Sequence, residues 1–161
     1  MTTKEKLLAL LEDSKGTFFS GEEIARTLQV SRAAVWKAVN ALREDGYTID
    51  AATNKGYRLS PDSDILSPQG IRRFLKPEYR DLDLTVLPTA PSTNALVREK
   101  ANQGRPEGCV IVACEQTDGR GRYGRQFFSP IDSGVYLSLL LRPTAYSPQQ
   151  ATCLTAAAAA A

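Results

Sequence analysis

Seven consecutive residues carry the densest chemistry of this 161-residue chain. They are Gly119-Arg120-Gly121-Arg122-Tyr123-Gly124-Arg125, directly after an apolar run from Cys109 to Cys114. Glycines let a loop fold tightly and bring backbone N–H groups close to a ligand. Arginines at this density repel one another unless an anion sits among them, and guanidinium forks hold carboxylate and phosphate oxygens in fixed geometry. The stretch therefore suits a phosphate or carboxylate ligand, and a loop spanning 117–130 is expected to stay mobile until that ligand arrives.

Other anion loops fit less well. Gly119, Gly121 and Gly124 match the spacing of the dinucleotide fingerprint, which needs a helix to open at the glycines. Gln126-Phe127-Phe128-Ser129-Pro130 follows instead, and the next ordered run reads as a strand. A Walker loop needs Lys-Ser/Thr where Arg125-Gln126 stand. An arginine-glycine RNA segment is normally a disordered tail, whereas this block lies inside a strand-rich region. A solvated basic loop is the plainest alternative.

The neighbourhood adds polar groups in a particular order. Pro91-Ser92-Thr93-Asn94 stands upstream and opens a helical run, Gln116 precedes the glycines, and Ser129-Pro130 and then Gly134-Val135-Tyr136-Leu137-Ser138-Leu139 follow. By itself Ser92-Thr93-Asn94 reads as an ordinary helix N-cap after proline. Taken in order, these segments over residues 68–161 resemble the biotin protein ligase family, an offshoot of the class II synthetase-like fold that also includes lipoate ligases. The resemblance implies an enzyme that joins biotin to ATP as biotinyl-5′-AMP, with Mg2+ accompanying the nucleotide, and then passes biotin to a lysine of a biotin carboxyl carrier protein. It assigns Ser92, Thr93, Asn94, Gln116, Gly119, Arg120, Gly121 and Arg122 to biotin. Arg120, Arg122 and Arg125 fall to the adenylate and ATP phosphates, with Phe127 or Phe128 as an apolar wall for adenine where family members often carry tryptophan. The family's Lys-Trp-Pro-Asn-Asp-type segment and catalytic lysine are expected beyond residue 161, so no catalytic residue is expected within the chain.

Residues 1–60 read as a separate unit. Leu7, Leu8, Leu10 and Leu11 have helical spacing over 3–13. Ser20 and Glu23 suggest a capping box for a second helix, stapled by Phe19 and Ile24. Ser31 caps a third helix whose inner face is Val35, Ala38, Val39 and Leu42, and which ends at Asp45-Gly46. Two alternating runs around Asn54-Lys55-Gly56 predict a β-hairpin. Three helices and a hairpin make a winged helix-turn-helix. Arg32, Ala33, Trp36, Lys37, Asn40 and Arg43 face outward on the third helix beside its cap Ser31, and Lys55 and Arg58 lie on the wing; DNA is the expected partner, met by Ser31, Arg32, Ala33, Trp36, Lys37, Asn40 and Lys55. Trp36 either reaches a groove or packs on the wing. The segment from Ser31 to Lys37 also resembles the N-terminal domain of bifunctional members of the same family, which repress the biotin operon. That implies a biotin operator as target and a homodimer in the complete protein.

Residues 61–67 read as a linker, and Ser67-Pro68 opens a short helix through Leu75. Strands are expected over 82–87, 110–113 and 134–142, with helices from Ser92 to about Gln103 and from Pro148. The mixture predicts an α+β domain over 68–161. The chain ends on six alanines with no capping signal, as if a helix were cut short.

Composition bounds the remaining choices. Net charge is +2, charged residues make up 24% and hydrophobic ones 42%, which describes a globular chain. Histidine is absent, which removes His-based triads and nearly all zinc hydrolase sites; no metal site is expected. Cys109, Cys114 and Cys153 lack C-x-x-C spacing and are expected to be buried thiols in a reducing cytoplasm. No apolar run reaches the roughly 18 residues of a membrane span.

Overall fold

The computed structural model describes residues 1–131, 133–143, 147, 150 and 153. The chain divides into two compact units, 1–81 and 82–161.

In the first unit, helix α1 spans Thr3–Asp13, α2 Gly21–Leu28 and α3 Arg32–Glu44. Each opens on a hydroxyl cap: Thr2, Ser20 and Ser31 accept from the N–H groups of Glu5, Glu23 and Ala34. The reciprocal capping box forms at Thr2, where Glu5 Oε2 also takes the Thr2 N–H at 2.7 Å. Between α2 and α3 the chain turns through Gln29, which adopts a left-handed conformation with φ 55°. Strands β1 (Ile49–Ala52) and β2 (Gly56–Leu59) pair antiparallel, Ile49 opposite Leu59 and Ala52 opposite Gly56. Asn54 and Gly56 supply the positive φ that this tight wing requires. The core is Leu7, Leu8, Leu11, Ile24, Val35, Val39 and Leu42 with Tyr47, Ile49 and Leu59. This is the winged helix-turn-helix expected from the sequence.

Compact packing of the first unit continues past residue 60, to Asp81. Helix α4 (Pro68–Phe74) packs on α1 within the first unit. Its N-cap Ser67 is buried, donates to Glu12 Oε1 at 3.2 Å and accepts from the Gly70 N–H at 2.9 Å. Arg73 donates to the Glu12 carbonyl at 2.7 Å, and Lys15 to the Ser63 carbonyl. These polar ties, made between residues far apart in sequence, leave 61–67 as a packed connection rather than a free linker.

The second unit is α+β. Strand β3 (Asp83–Ala90) leads through α5 (Thr93–Asn102) into β4 (Cys109–Gln116), and β5 (Tyr136–Leu139) returns antiparallel on the far side of β4. Parallel pairing of β3 with β4 in a β-α-β unit accounts for α5 as the crossover. Pro88 fits within β3 because that strand is at the sheet edge among the described residues. Val97, Cys109, Ile111 and Leu140 form the core between helix and sheet. Of the three cysteines, Cys109 is buried, Cys114 half-buried and Cys153 exposed. The expectation of three buried thiols therefore holds only for Cys109, the one under α5. The helix expected from Pro148 lies outside the described residues.

A polar cleft at the carboxyl ends of two parallel strands

The register of the second unit brings the polar motifs together. Ala90 lies opposite Gln116 where β3 and β4 end. The pairing continues past the strands, with the Thr117 N–H on the Ala90 carbonyl and the Asp118 N–H on the Pro91 carbonyl, at 3.0 and 2.8 Å. Helix α5 follows β3 closely, so its first turn stands beside the start of the glycine-arginine loop. The carboxyl ends of parallel strands next to a helix N-terminus are where α/β units commonly hold ligands, because free N–H groups and the helix dipole favour anionic or polar groups there.

A cleft of about 290 Å³ opens at this point, lined by Ser92, Thr93, Asn94, Gln116, Arg120, Val135 and the start of β5 from Tyr136 to Ser138. Ser92 and Thr93 are buried and Asn94 exposed. Ser92 sits at the N-cap position of α5, yet its hydroxyl does not cap the helix. The Gln116 side chain does so instead: its Oε1 accepts from the Thr93 N–H at 2.9 Å and from Thr93 Oγ1 at 3.2 Å. Thr93 Oγ1 in turn accepts from Ser138 Oγ at 3.0 Å, and Gln116 Nε2 donates to Ser129 Oγ at 3.3 Å. This chain of bonds ties β4, α5, β5 and the loop into one wall. Tyr136 completes it, packed edge-to-face against Phe127 with ring centroids 6.4 Å apart.

Backbone pairing folds the glycine-arginine loop into a hairpin. Gln116 pairs with Ser129 and Arg120 with Gln126, and the turn Arg122–Gly124 caps it. The Phe127 N–H reaches the Gly119 carbonyl at 2.8 Å, and the Gly121 N–H reaches the Arg125 carbonyl at 2.7 Å. The loop is thus held as a paired hairpin. Two effects offset the like-charge repulsion: these backbone bonds, and Asp118 Oδ2, which accepts from Arg120 at 3.0 and 3.2 Å. Gly119 is required by close approach, since a Cβ there would fall 2.4 Å from the Phe127 carbonyl and 2.8 Å from Ser129 Oγ. Gly124 serves the turn with φ 73°, next to Tyr123 at φ 58°.

Sequence-expected residues divide accordingly. Ser92, Thr93, Asn94, Gln116 and Arg120 meet in one cleft. Gly119 and Phe127 line an adjoining hollow of about 360 Å³ with Gln116, Gln126, Phe128 and Ser129. Gly121 shapes the hairpin, Arg122 belongs to its turn, and Arg125 is exposed outside both linings. Sequence reasoning missed Tyr136, Ser138, Ser129 and Asp118. A signal for two of them was present: Tyr136 and Ser138 alternate with Leu137 and Leu139, and the half-buried members of β5 are the polar-tipped ones.

In the first unit, Arg32, Ala33, Trp36 and Lys37 are exposed along α3, Ser31 is exposed at its cap and Asn40 is half-buried. Trp36 is 59% exposed, which leaves most of the ring open to solvent. Arg43 is committed elsewhere, donating twice to the Ile49 carbonyl at 2.7 and 3.1 Å. Lys55 lies exposed at the wing.

Two folded segments of distinct class therefore share this chain: a helix-turn-helix unit and an α+β unit with a polar cleft. Residues 3–58 match the family model described as HTH domain, and residues 86–161 match the model of the Biotin/lipoate A/B protein ligase family. Similar proteins are Bifunctional ligase/repressor BirA of Bacillus subtilis (strain 168), 40% identical over 142 residues, and BirA of Escherichia coli (strain K12), 36% identical over 141. The matches cover 88% of this chain but 44% and 42% of those proteins, so the chain spans less than half the length of these relatives.

Proposed function

We propose that this protein is a biotin–protein ligase that also represses transcription in response to biotin. The observation that carries the ligase reading is the convergence of Ser92, Thr93, Asn94, Gln116 and Arg120 on one cleft from positions up to 28 residues apart in sequence. A ureido ring needs donors and acceptors together, and this wall offers hydroxyls and amides on three sides with Arg120 at its rim.

In the proposed reaction a biotin carboxylate oxygen attacks the α-phosphorus of ATP. The new O–P bond forms as the bond to pyrophosphate breaks. The attack brings two anions together, so catalysis is chiefly positioning and charge neutralisation. Arg120 exchanges Asp118 for the ligand's carboxylate and the adenylate phosphate. Arg122 and Arg125 meet the nucleotide phosphates, and Phe127 covers the adenine beside Gly119 and Gly121. The lysine amine of a biotin carboxyl carrier protein then attacks the acyl carbon, and AMP leaves. Mg2+ enters bound to the ATP phosphates; among the described residues no group of acidic, cysteine or histidine side chains could hold a metal ion by itself. The cytoplasm is the proposed location. No helix among the described residues is long and apolar enough to cross a membrane.

The first unit binds a biotin operator through Ser31, Arg32, Ala33, Trp36, Lys37 and Asn40, with Lys55 on the wing, and the repressor acts as a homodimer. Recognition-helix N-termini meet base edges in such folds while flanking cations meet phosphates.

The test is ATP–pyrophosphate exchange by the full-length product, with biotin and with lipoate as the carboxylic acid. Biotin-dependent exchange that falls in Thr93→Val and Arg120→Ala supports the reading. Exchange with lipoate alone makes the protein a lipoate-type ligase. No exchange with either acid, together with retained biotin-dependent DNA binding, makes it a ligand-sensing transcription factor. Residues 1–161 alone should bind DNA yet transfer no biotin.

A further inference from the structure

The wing carries two cations, and one aromatic ring holds both. Phe18 lies in the short segment between α1 and α2, where its neighbour Phe19 pairs with Tyr57 of β2. The Phe19 N–H meets the Tyr57 carbonyl at 2.9 Å and the Tyr57 N–H meets the Phe19 carbonyl at 2.8 Å. The segment thus runs alongside the wing as an added bridge. Extended backbone sends adjacent side chains to opposite faces: Phe19 packs against the core and Phe18 faces the wing's outer side. There the Arg58 guanidinium carbon sits 4.7 Å from the Phe18 ring centroid and Lys55 Nζ 5.9 Å from it. Both distances lie within the range of cation–π attraction.

The two cations differ in what else they meet. Arg58 is pinned from the other side by Asp50, Nε to Oδ2 at 2.8 Å, so that carboxylate largely offsets its charge. Lys55 is exposed and beside the hairpin turn. A lysine left free on a wing tip loses rotamer entropy when it meets a phosphate. One already drawn toward a ring that Arg58 and Asp50 hold in place loses less.

We infer that Phe18 is a positioning residue for nucleic-acid binding, fixing Lys55 where the wing meets the phosphate backbone. The inference rests on the DNA-binding reading of the first unit. The ring touches no nucleotide and acts through the cation it holds, while Asp50 holds Arg58 over the same ring.

The experiment measures binding of the chain to a short mixed-sequence DNA duplex across a range of salt concentrations. The sequence-independent electrostatic term appears as the slope of log affinity against log salt, roughly 0.9 per phosphate neutralised. Lys55→Ala should lower the slope by about 1. Phe18→Leu keeps every charge yet should lower the slope in the same direction, and Phe18→Tyr, which keeps the ring, should restore it. In a Lys55→Ala, Arg58→Ala background Phe18→Leu should have no further effect. A purely structural role would lower affinity through the folded fraction and leave the slope unchanged, and that result would overturn the inference. A separate readout needs no DNA: ring-current upfield shifts of the Lys55 ε and Arg58 δ protons, present in the parent and lost in Phe18→Leu. If those shifts are present but the parent chain and Arg32→Ala alike show no salt-dependent binding, the DNA reading has failed and the positioning role falls with it. If binding is normal and the shifts are absent, only the role of Phe18 has failed.

Discussion

Gln116 is the side chain on which the polar cleft turns. Its carboxamide oxygen takes both donors of Thr93 and its nitrogen reaches Ser129. A glutamate would keep the acceptor and lose the donor, and a leucine would leave the Thr93 N–H without its cap. Gly119 beside it has no room for a methyl group, since a Cβ there would meet carbonyl and hydroxyl oxygens at 2.4 and 2.8 Å. Gly119→Ala should therefore push the 127–129 arm outward and, if the cleft holds biotin as proposed, weaken that binding roughly tenfold, about 1.4 kcal/mol. Calorimetric titration with biotin checks this, and unchanged affinity would mean the hairpin does not shape the site. Thiol chemistry gives a second residue-scale outcome. Burial raises the Cys109 pKa above its ordinary 9.0, with Asp83 adding to the effect, and the thiolate is the reactive form. A thiol reagent at neutral pH should modify exposed Cys153 first and spare Cys109 until the unit unfolds. Burial likewise raises the Tyr47 pKa above 10.0, partly offset by the Ser67 hydroxyl. In both groups the native state holds a proton that the unfolded chain releases, so their contribution is intact below the ordinary values and is lost as pH rises through the raised ones.

The wing is the element most exposed to a single change. Gly56 has φ 93°, and a Cβ there would fall 2.1 Å from the Phe19 carbonyl. Strain and clash act together in Gly56→Ala, which should destabilise the first unit by more than about 2 kcal/mol. Denaturant melts of the two chains measure it, and a difference within error would mean the Phe19–Tyr57 bridge does not form in solution. The elements of this unit are legible in the sequence because each carries a local signal: hydroxyl caps at Ser20 and Ser31, apolar residues at helical spacing, an Asn-Lys-Gly turn. What is not legible depends on partners distant in sequence. Nothing local in Gln29 announces a left-handed residue. Nothing near Ser92 announces that Gln116, 24 positions later, will cap α5 in its place. Asp118 stands at the edge of a basic loop, and its pairing with Arg120 follows only from the hairpin.

At the scale of the whole chain, the same contrast sets where one unit ends. The periodic apolar residues stop at Leu59, and the core they form lies within the first 60 residues, with Ile65 packed against it from outside. Polar ties decide the rest: Ser67 to Glu12, Arg73 to the Glu12 carbonyl, and Arg72 to the Arg80 carbonyl at 3.1 Å. Such bonds have no periodicity and leave no mark in a hydropathy pattern, which is why 61–81 reads as linker and domain start although it packs with the first unit. Residues 1–60 should fold alone, with a helical spectrum and a cooperative melt, because they contain the apolar core. Residues 1–81 should melt higher. Removing α4 leaves Glu12, buried in the intact unit, without its Ser67 partner and uncovers the side of α1 that α4 packs on. A loss of about 1 kcal/mol or more corresponds to roughly 4–8 °C in a domain of this size. Circular dichroism melts of the two fragments decide the matter, and coincident melting temperatures would make α4 a passenger. Glu12→Gln in the shorter fragment separates the two effects. It should recover little of the loss if packing of α4 dominates, and much of it if the carboxylate left without its partner does.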